Sequence, residues 1–278
     1  MIVFEDVSYT YPGGVKAIRS VSLEIGDGEF VGLIGHSGAG KTTLAKLAVG
    51  LLKPQEGRVL VDGVDTRAAA VSDLARRVGY VFQNPDLMIF SRTIFDEVAF
   101  GLRNLGVPED EVRERVARAL EEVDLAHKPL DTPPYALSFG EKHRLAIASV
   151  LAMEPRTLIL DEPTTGLDYG RCLKLFEVLK RLRDEGRTVV LITHDIDLLA
   201  RYADRIVVLE EGRVARDGSV REVLGDLEFL EEHGFVPTQV LLLAKRLGLD
   251  AITPSELAEK LCSRLGPSKP PTEAPRVP

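Results

Sequence analysis

A chain of 278 residues, 45% hydrophobic and 28% charged, is long enough for one large α/β domain plus an appendage, and this composition excludes disorder over most of its length. With 43 acidic and 35 basic residues the net charge is −8, so no basic face advertises nucleic acid as a partner. Cys172 and Cys262 lack metal or redox spacing and are too few for a disulfide framework, so two reduced thiols are expected. The N-terminus shows neither a charged leader nor an apolar signal core. Nor does any stretch approach the roughly 18 apolar residues of a membrane-spanning helix. The chain is expected to be soluble alone and to reach a membrane only through a partner.

In chain order, short apolar strands are predicted at Ile2–Val7, Val21–Ile25, Phe30–Ile34 and Arg58–Val61. A helix follows at Lys41–Leu52 and ends where Lys53 and Pro54 forbid continuation. Beyond a strand at Val78–Phe82 the pattern turns helical. Val112, Val116, Leu120 and Val123 recur at helical spacing, and a second helix is read over Phe139–Met153. Strand and helix then alternate again: Thr157–Leu160, a helix at Cys172–Asp184, and the β-branched run Thr188–Thr193, typical of a buried parallel strand. Arg205–Glu210 and Arg213–Arg216 form a closing hairpin around Glu211 and Gly212. This order predicts an α/β fold with a mixed sheet core over 1–225 and a helical subdomain at about 91–153. After Gly225, Val240, Leu243, Ala244 and Leu247 mark one helix face, and Thr253 to Glu256 opens a second helix as a capping box with Leu257, Leu261 and Leu265 on its face. This extension, 226–265, is expected either to pack on the main domain or to serve association or regulation. The Pro-rich residues 266–278 read as a disordered tail.

The strongest chemical signal is Gly35, His36, Ser37, Gly38, Ala39, Gly40, Lys41, Thr42 and Thr43, placed between an apolar strand and a helix. In that context Gly-x-x-x-x-Gly-Lys-Thr converges backbone N–H groups on phosphate oxygens, aided by the partial positive charge of a helix N-terminus. Lys41 reaches the β- and γ-phosphates, and the Thr42 hydroxyl can ligate Mg²⁺. An ordinary glycine-rich turn is the bland alternative, and the strand–loop–helix context speaks against it. The complementary half is Thr157 to Leu160 followed by Asp161 and Glu162. Asp161, at the strand's C-terminal edge, can hold Mg²⁺ through water, while Glu162 is the candidate general base for in-line attack on a γ-phosphate. His194 ends another parallel strand and so lies on the same rim.

Between those motifs stand Leu137, Ser138, Phe139, Gly140 and Glu141, with Gln83 after the strand Val78–Phe82 and Asp168 in Thr-Gly-Leu-Asp. In order and spacing these six motifs, over roughly Met1–Gly225, resemble the ATPase domain of ABC proteins. The resemblance implies ATP and Mg²⁺ as cofactors. It implies Tyr11 as the aromatic stacked on adenine; Tyr9 is the weaker candidate and is expected in the core. Gln83 senses Mg²⁺ and the attacking water and links them to the transport partner. Ser138 and the Gly140 N–H close over the ATP of the opposite subunit, Asp168 crosses the dimer interface, and His194 is the γ-phosphate switch. The signature departs from Leu-Ser-Gly-Gly-Gln at Phe139 and Glu141, which motivates the expectation of two unequal sites in a heterodimer, with a symmetric homodimer, in which Phe139 points away from phosphate, as the alternative. A finer similarity, from Gln83 through Asp86, Phe90 and Thr93 to Leu102, is to the ATPases of energy-coupling-factor (ECF) transporters, including the cobalt type, although those commonly carry Gln where Met88 stands. The implied function is an importer ATPase for a metal ion or vitamin, working with a second ATPase subunit and an integral membrane subunit at the cytoplasmic face of the membrane. Another ABC importer class is the alternative. Soluble ABC ATPases acting on DNA ends or ribosomes usually insert coiled coils or fuse two ATPase domains, and neither is seen here. P-loop kinases and GTPases have no place for Leu137–Glu141.

Overall fold

The computed structural model describes residues 1–265, and the tail expected over 266–278 lies outside them. The strands are β1 (Ile2–Thr10), β2 (Lys16–Ile25), β3 (Phe30–Ile34), β4 (Glu56–Val61), β5 (Val64–Asp65), β6 (Val78–Val81), β7 (Thr157–Asp161), β8 (Thr188–Ile192), β9 (Arg205–Glu210) and β10 (Arg213–Ser219). The helices of the main body are α1 (Lys41–Ala48), α2 (Val71–Ala75), α3 (Ile94–Asn104), α4 (Glu109–Glu122), α5 (Phe139–Leu151), α6 (Tyr169–Asp184) and α7 (Ile196–Tyr202). The chain continues through α8 (Val220–Gly225), α9 (Leu227–Glu232), α10 (Gln239–Leu247) and α11 (Pro254–Leu265).

The larger sheet has the order β10-β9-β3-β8-β7-β6, parallel except for the antiparallel edge strand β10. Every residue of β3, β7 and β8 is buried. Helices and the second sheet cover both faces, and that is why these strands read as continuous apolar runs rather than alternating ones. Register fixes the functional rim. Leu33 and Asp161 both pair with Ile192, so the C-terminal ends of β3, β7 and β8 finish side by side. A smaller antiparallel sheet, β2-β1-β4-β5, packs Ile2, Phe4, Val7 and Val59 with Leu44, Leu47 and Ala48 of α1. Each of these side chains larger than Ala48 contributes roughly 1.5–3 kcal/mol on full burial.

The helical lobe is built by α3, α4 and α5, whose Val98, Leu102, Val112, Val116, Leu120, Leu145 and Ile147 join the main core. Helix α3 was not resolved as an element in the sequence, although Thr93 caps it by accepting a hydrogen bond from the Asp96 N–H at 3.0 Å. Helix α1 stops at Ala48 rather than Leu52. Helix α6 begins at Tyr169, three residues before the predicted start, because Asp168 accepts from the Arg171 N–H at its N-terminus. Strands β1 and β2 extend well past the predicted limits, pairing as far as Thr10 with Lys16.

The segment after Gly225 packs on the same chain. Leu227, Leu230, Leu241 and Ile252 enter the main core, and Ala244, Ala251 and Leu257 form a small cluster with Val240, Leu247 and Leu261. Of the face expected on α10, Val240, Ala244 and Leu247 pack in that cluster, whereas Leu243 is exposed and Leu241 is buried instead. No helix among the described residues is long and apolar enough to cross a membrane.

Candidate functional site

The turn from β3 into α1 is forced against its neighbours. A Cβ on Gly35, whose φ is +154°, would lie 2.2 Å from the Leu209 carbonyl oxygen, so only glycine lets the loop pass the end of β9. Lys41 folds back over the loop, its ammonium donating to the carbonyls of Gly35 at 2.6 Å and His36 at 3.0 Å. Burial pushes the Lys41 pKa down, while the nearby Glu162 and Asp161 carboxylates act in the opposite direction.

Facing the loop, the buried Asp161 carboxylate accepts from the Thr42 hydroxyl at 2.6 Å and from the Tyr80 hydroxyl at 3.2 Å. Burial, reinforced by Asp161, pushes the Tyr80 phenol up, so it remains a donor to that carboxylate. Glu162 follows with φ +50°, a left-handed conformation that costs about 1–2 kcal/mol outside glycine. A main-chain hydrogen bond of 2.8 Å from its N–H to the Ile192 carbonyl holds it there. Its carboxylate meets His194 Nδ1 at 2.9 Å, with the His194 side chain 85% exposed. Strain of this kind at the tip of a buried strand is where functional sites store it.

These groups open onto one cavity of about 530 Å³, lined by Tyr11, Gly35, Ser37, Gly38, Ala39, Gly40, Lys41, Thr42, Thr43, Gln83, Asp161, Glu162 and His194. Tyr11 lies in this wall with its hydroxyl 3.2 Å from Thr43 Oγ1, while Tyr9 is buried and meets it edge-on. Val15, Lys16 and Ala17 complete the wall and carry no motif by which the sequence would mark them. The side chain of His36 turns elsewhere, and its Nε2 reaches the His233 carbonyl.

The residues of the second motif group sit apart from the cavity. Ser138 caps α5: its hydroxyl accepts from the Glu141 N–H at 3.4 Å, and the Glu141 carboxylate accepts from the Ser138 N–H at 2.9 Å. Lys128 pairs with Glu141 at 2.7 Å and, together with the Ser138 N–H, holds its carboxyl down at about 2. Gly140 is at van der Waals limit against the Asp168 loop, since a Cβ there would fall 2.5 Å from the Gly166 carbonyl oxygen. The Phe139 ring, 44% exposed, rests on Gly166. His143 is buried and kept neutral by that burial, and its Nδ1 donates to the Thr165 carbonyl at 3.0 Å. Sequence reasoning missed this link, because a histidine inside a helix carries no local signal.

Taken together, the cavity offers a glycine-walled loop, an ammonium, a hydroxyl–carboxylate pair and a strained carboxylate beside an imidazole. Such a set suits a polyphosphate and can take a proton from a nucleophile in line with it. Residues 18–165 match the family described as "ABC transporter". The chain is 41% identical to the energy-coupling factor transporter ATP-binding protein EcfA2 of Caldanaerobacter subterraneus subsp. tengcongensis over 88% of each chain. Among solved structures, cbiO1 from Clostridium perfringens, part of the ABC transporter complex cbiONQ, matches with a TM-score of 0.71 and 39% identity over 83% of this chain and 93% of that one. The ATP-binding cassette MJ0796, in a dimeric post-hydrolysis state bound to ADP and Pi, matches with a TM-score of 0.74 and 33% identity over 79% of this chain and 99% of that one. Two further curated relatives are longer, and the chain spans only 45% and 44% of their length. By sequence and by architecture, the chain belongs to the ABC transporter family and has the fold of its ATPase domain.

Proposed function

We propose that this chain binds and hydrolyses ATP to energise an ECF-type importer of a metal ion or vitamin, acting through an integral membrane subunit. The observation that carries the reading is the 2.6 Å hydrogen bond from Thr42 to Asp161, which ties the phosphate loop to the β7 rim beside Lys41 and Glu162. Likeness to EcfA2 and to cbiO1 supports the ECF type.

In this reading the loop N–H groups and Lys41 hold the triphosphate, and Tyr11 stacks on the adenine from the cavity wall. Glu162 takes the proton of the attacking water, with His194 orienting the carboxylate and facing the γ-phosphate. Thr42, Asp161 and Gln83 present oxygen donors suited to a hard cation, and Mg²⁺ bound there would neutralise charge on the β- and γ-phosphate oxygens. Ser138, Phe139, Gly140 and Glu141 act on ATP held by a second ATPase subunit, with Asp168 crossing between the two. Phe139 in place of glycine favours a related but different chain as that subunit. Gln83 links the cavity to the membrane partner, and the pair works at the cytoplasmic face of the membrane. Nucleic acid has no part in it, in keeping with the net charge of −8.

The test is Lys41→Ala in the full chain, read by MgATP affinity and steady-state hydrolysis. Binding at least tenfold weaker, with hydrolysis lost, is expected. Wild-type affinity and turnover would refute the site. Copurification of the wild-type chain with a small integral membrane protein tests the transport half of the reading.

A further inference from the structure

The phosphate loop is held from outside by the C-terminal extension. Helix α9 ends in a Schellman motif: Gly234, with φ +70°, donates to the Glu231 carbonyl at 3.1 Å, and Phe235 donates to the Leu230 carbonyl at 2.7 Å. That arrangement leaves the His233 carbonyl without a helical donor. It is taken by His36 Nε2–H at 2.7 Å, a contact between residues 197 positions apart. The Phe235 ring stacks on the His36 ring with centroids 5.1 Å apart and planes inclined by 16°. Gly234 passes so close that a Cβ there would lie 3.1 Å from His36 Nε2. Three consecutive residues therefore grip one side chain of the phosphate loop.

The grip is anchored at both ends. His233 Nδ1 meets the Glu210 carboxylate at 2.9 Å, at the end of β9, the strand paired with β3 from which the phosphate loop departs. Leu227 and Leu230 of α9 are buried in the main core. On the loop side, the His36 carbonyl is one of the two that accept from Lys41. The turn thus fixes the orientation of a residue whose main chain contacts the cation that faces phosphate.

We propose that His233–Phe235 is a positioning strap for the ATP site: by holding His36 it sets the shape of the phosphate loop, so that nucleotide affinity depends on how the C-terminal extension is seated. This rests on the reading of Gly35–Thr43 as the triphosphate cradle. The strap adds no chemical group to the reaction. It acts through preorganisation, so its loss raises the concentration of nucleotide needed while leaving the turnover of the bound nucleotide intact.

The experiment compares the full chain with Phe235→Ala, Phe235→Tyr and Lys41→Ala, titrated with the non-hydrolysable analogue adenylyl imidodiphosphate and Mg²⁺, with kcat and KM for ATP measured in parallel. Phe235→Ala should weaken binding and raise KM three- to tenfold with kcat within twofold of wild type, and Phe235→Tyr, which keeps the stacked ring, should restore wild-type values. By linkage, the analogue should slow amide exchange at Gly234 and Phe235 in the unmodified chain, a readout that needs no variant. Wild-type affinity in Phe235→Ala, or amide exchange in the strap indifferent to the analogue, overturns the strap. If Lys41→Ala itself binds normally, the cradle reading fails instead, and the two failures are told apart.

Discussion

The phosphate loop with Asp161 and Glu162, and the Ser138–Glu141 turn with its Asp168 loop, are built in opposite ways. In the first, side chains reach across the rim to one another: Thr42 bonds Asp161, and Glu162 meets His194 inside a shared cavity. In the second, the polar side chains serve their own helix end and the neighbouring Lys128. The Ser138 hydroxyl and the Glu141 carboxylate satisfy each other's main-chain N–H groups and face no cavity partner. One region lines a cavity; the other is a capped helix end that lines none. In the proposed reading, the second region acts on ATP held by a neighbouring subunit.

The comparison can be broken at Gly140. Alanine there gains at most about 0.5–1 kcal/mol of helix propensity, against about 1–3 kcal/mol for forcing a methyl into backbone packing, so the clash wins. Gly140→Ala should displace the 164–168 loop and lower turnover roughly tenfold while leaving nucleotide affinity unchanged, because no cavity residue moves; a loss of affinity would show that the two regions are not separate. Phe139→Gly comes next. Removing a half-exposed ring that rests on Gly166 should lower the melting temperature, and if the ring obstructs a partner's phosphate, ATP turnover of the purified chain should rise several-fold. A wild-type chain that already turns over briskly as a homodimer, and gains nothing, removes the case for unequal sites.

The smallest effect is expected at Glu141. Its carboxyl sits at about 2 instead of the ordinary 4.5, held first by Lys128 and then by the Ser138 N–H. A depressed carboxylate stabilises the fold above its unfolded pKa, and that contribution is lost as pH falls from about 4.5 toward 2. Glu141→Gln keeps the capping geometry and loses the ion pair. It should cost about 0.5–1 kcal/mol at pH 7, in line with partly exposed pairs, and should flatten the acid side of the stability curve within that window. Urea titrations at several pH values read this directly.

Much of the phosphate region was legible because each residue answers a local demand: glycines where the loop meets β9, a lysine and threonine opening α1, acids closing a buried strand. What escaped depends on distant parts of the chain. No glycine signals that Glu162 is left-handed; that conformation is imposed by the bond to Ile192. Tyr80 reads as a strand residue, and only β6 lying beside β7 brings its hydroxyl to Asp161. On α10, three successive leucines at 241–243 leave the buried face undetermined by periodicity, and packing against two clusters chose Leu241. The His36–Phe235 stack joins the two ends of the chain and has no sequence signature at all.

The central claim, that Glu162 is the base in a site complete for ATP binding within this chain, is tested most directly by Glu162→Gln. The amide keeps the size and the contact with His194 but cannot take a proton. Removing a general base costs about 10²–10⁴ in rate. MgATP affinity equal to or tighter than wild type, together with kcat reduced at least a hundredfold, is the predicted result. Hydrolysis by Glu162→Gln at the wild-type rate would contradict it.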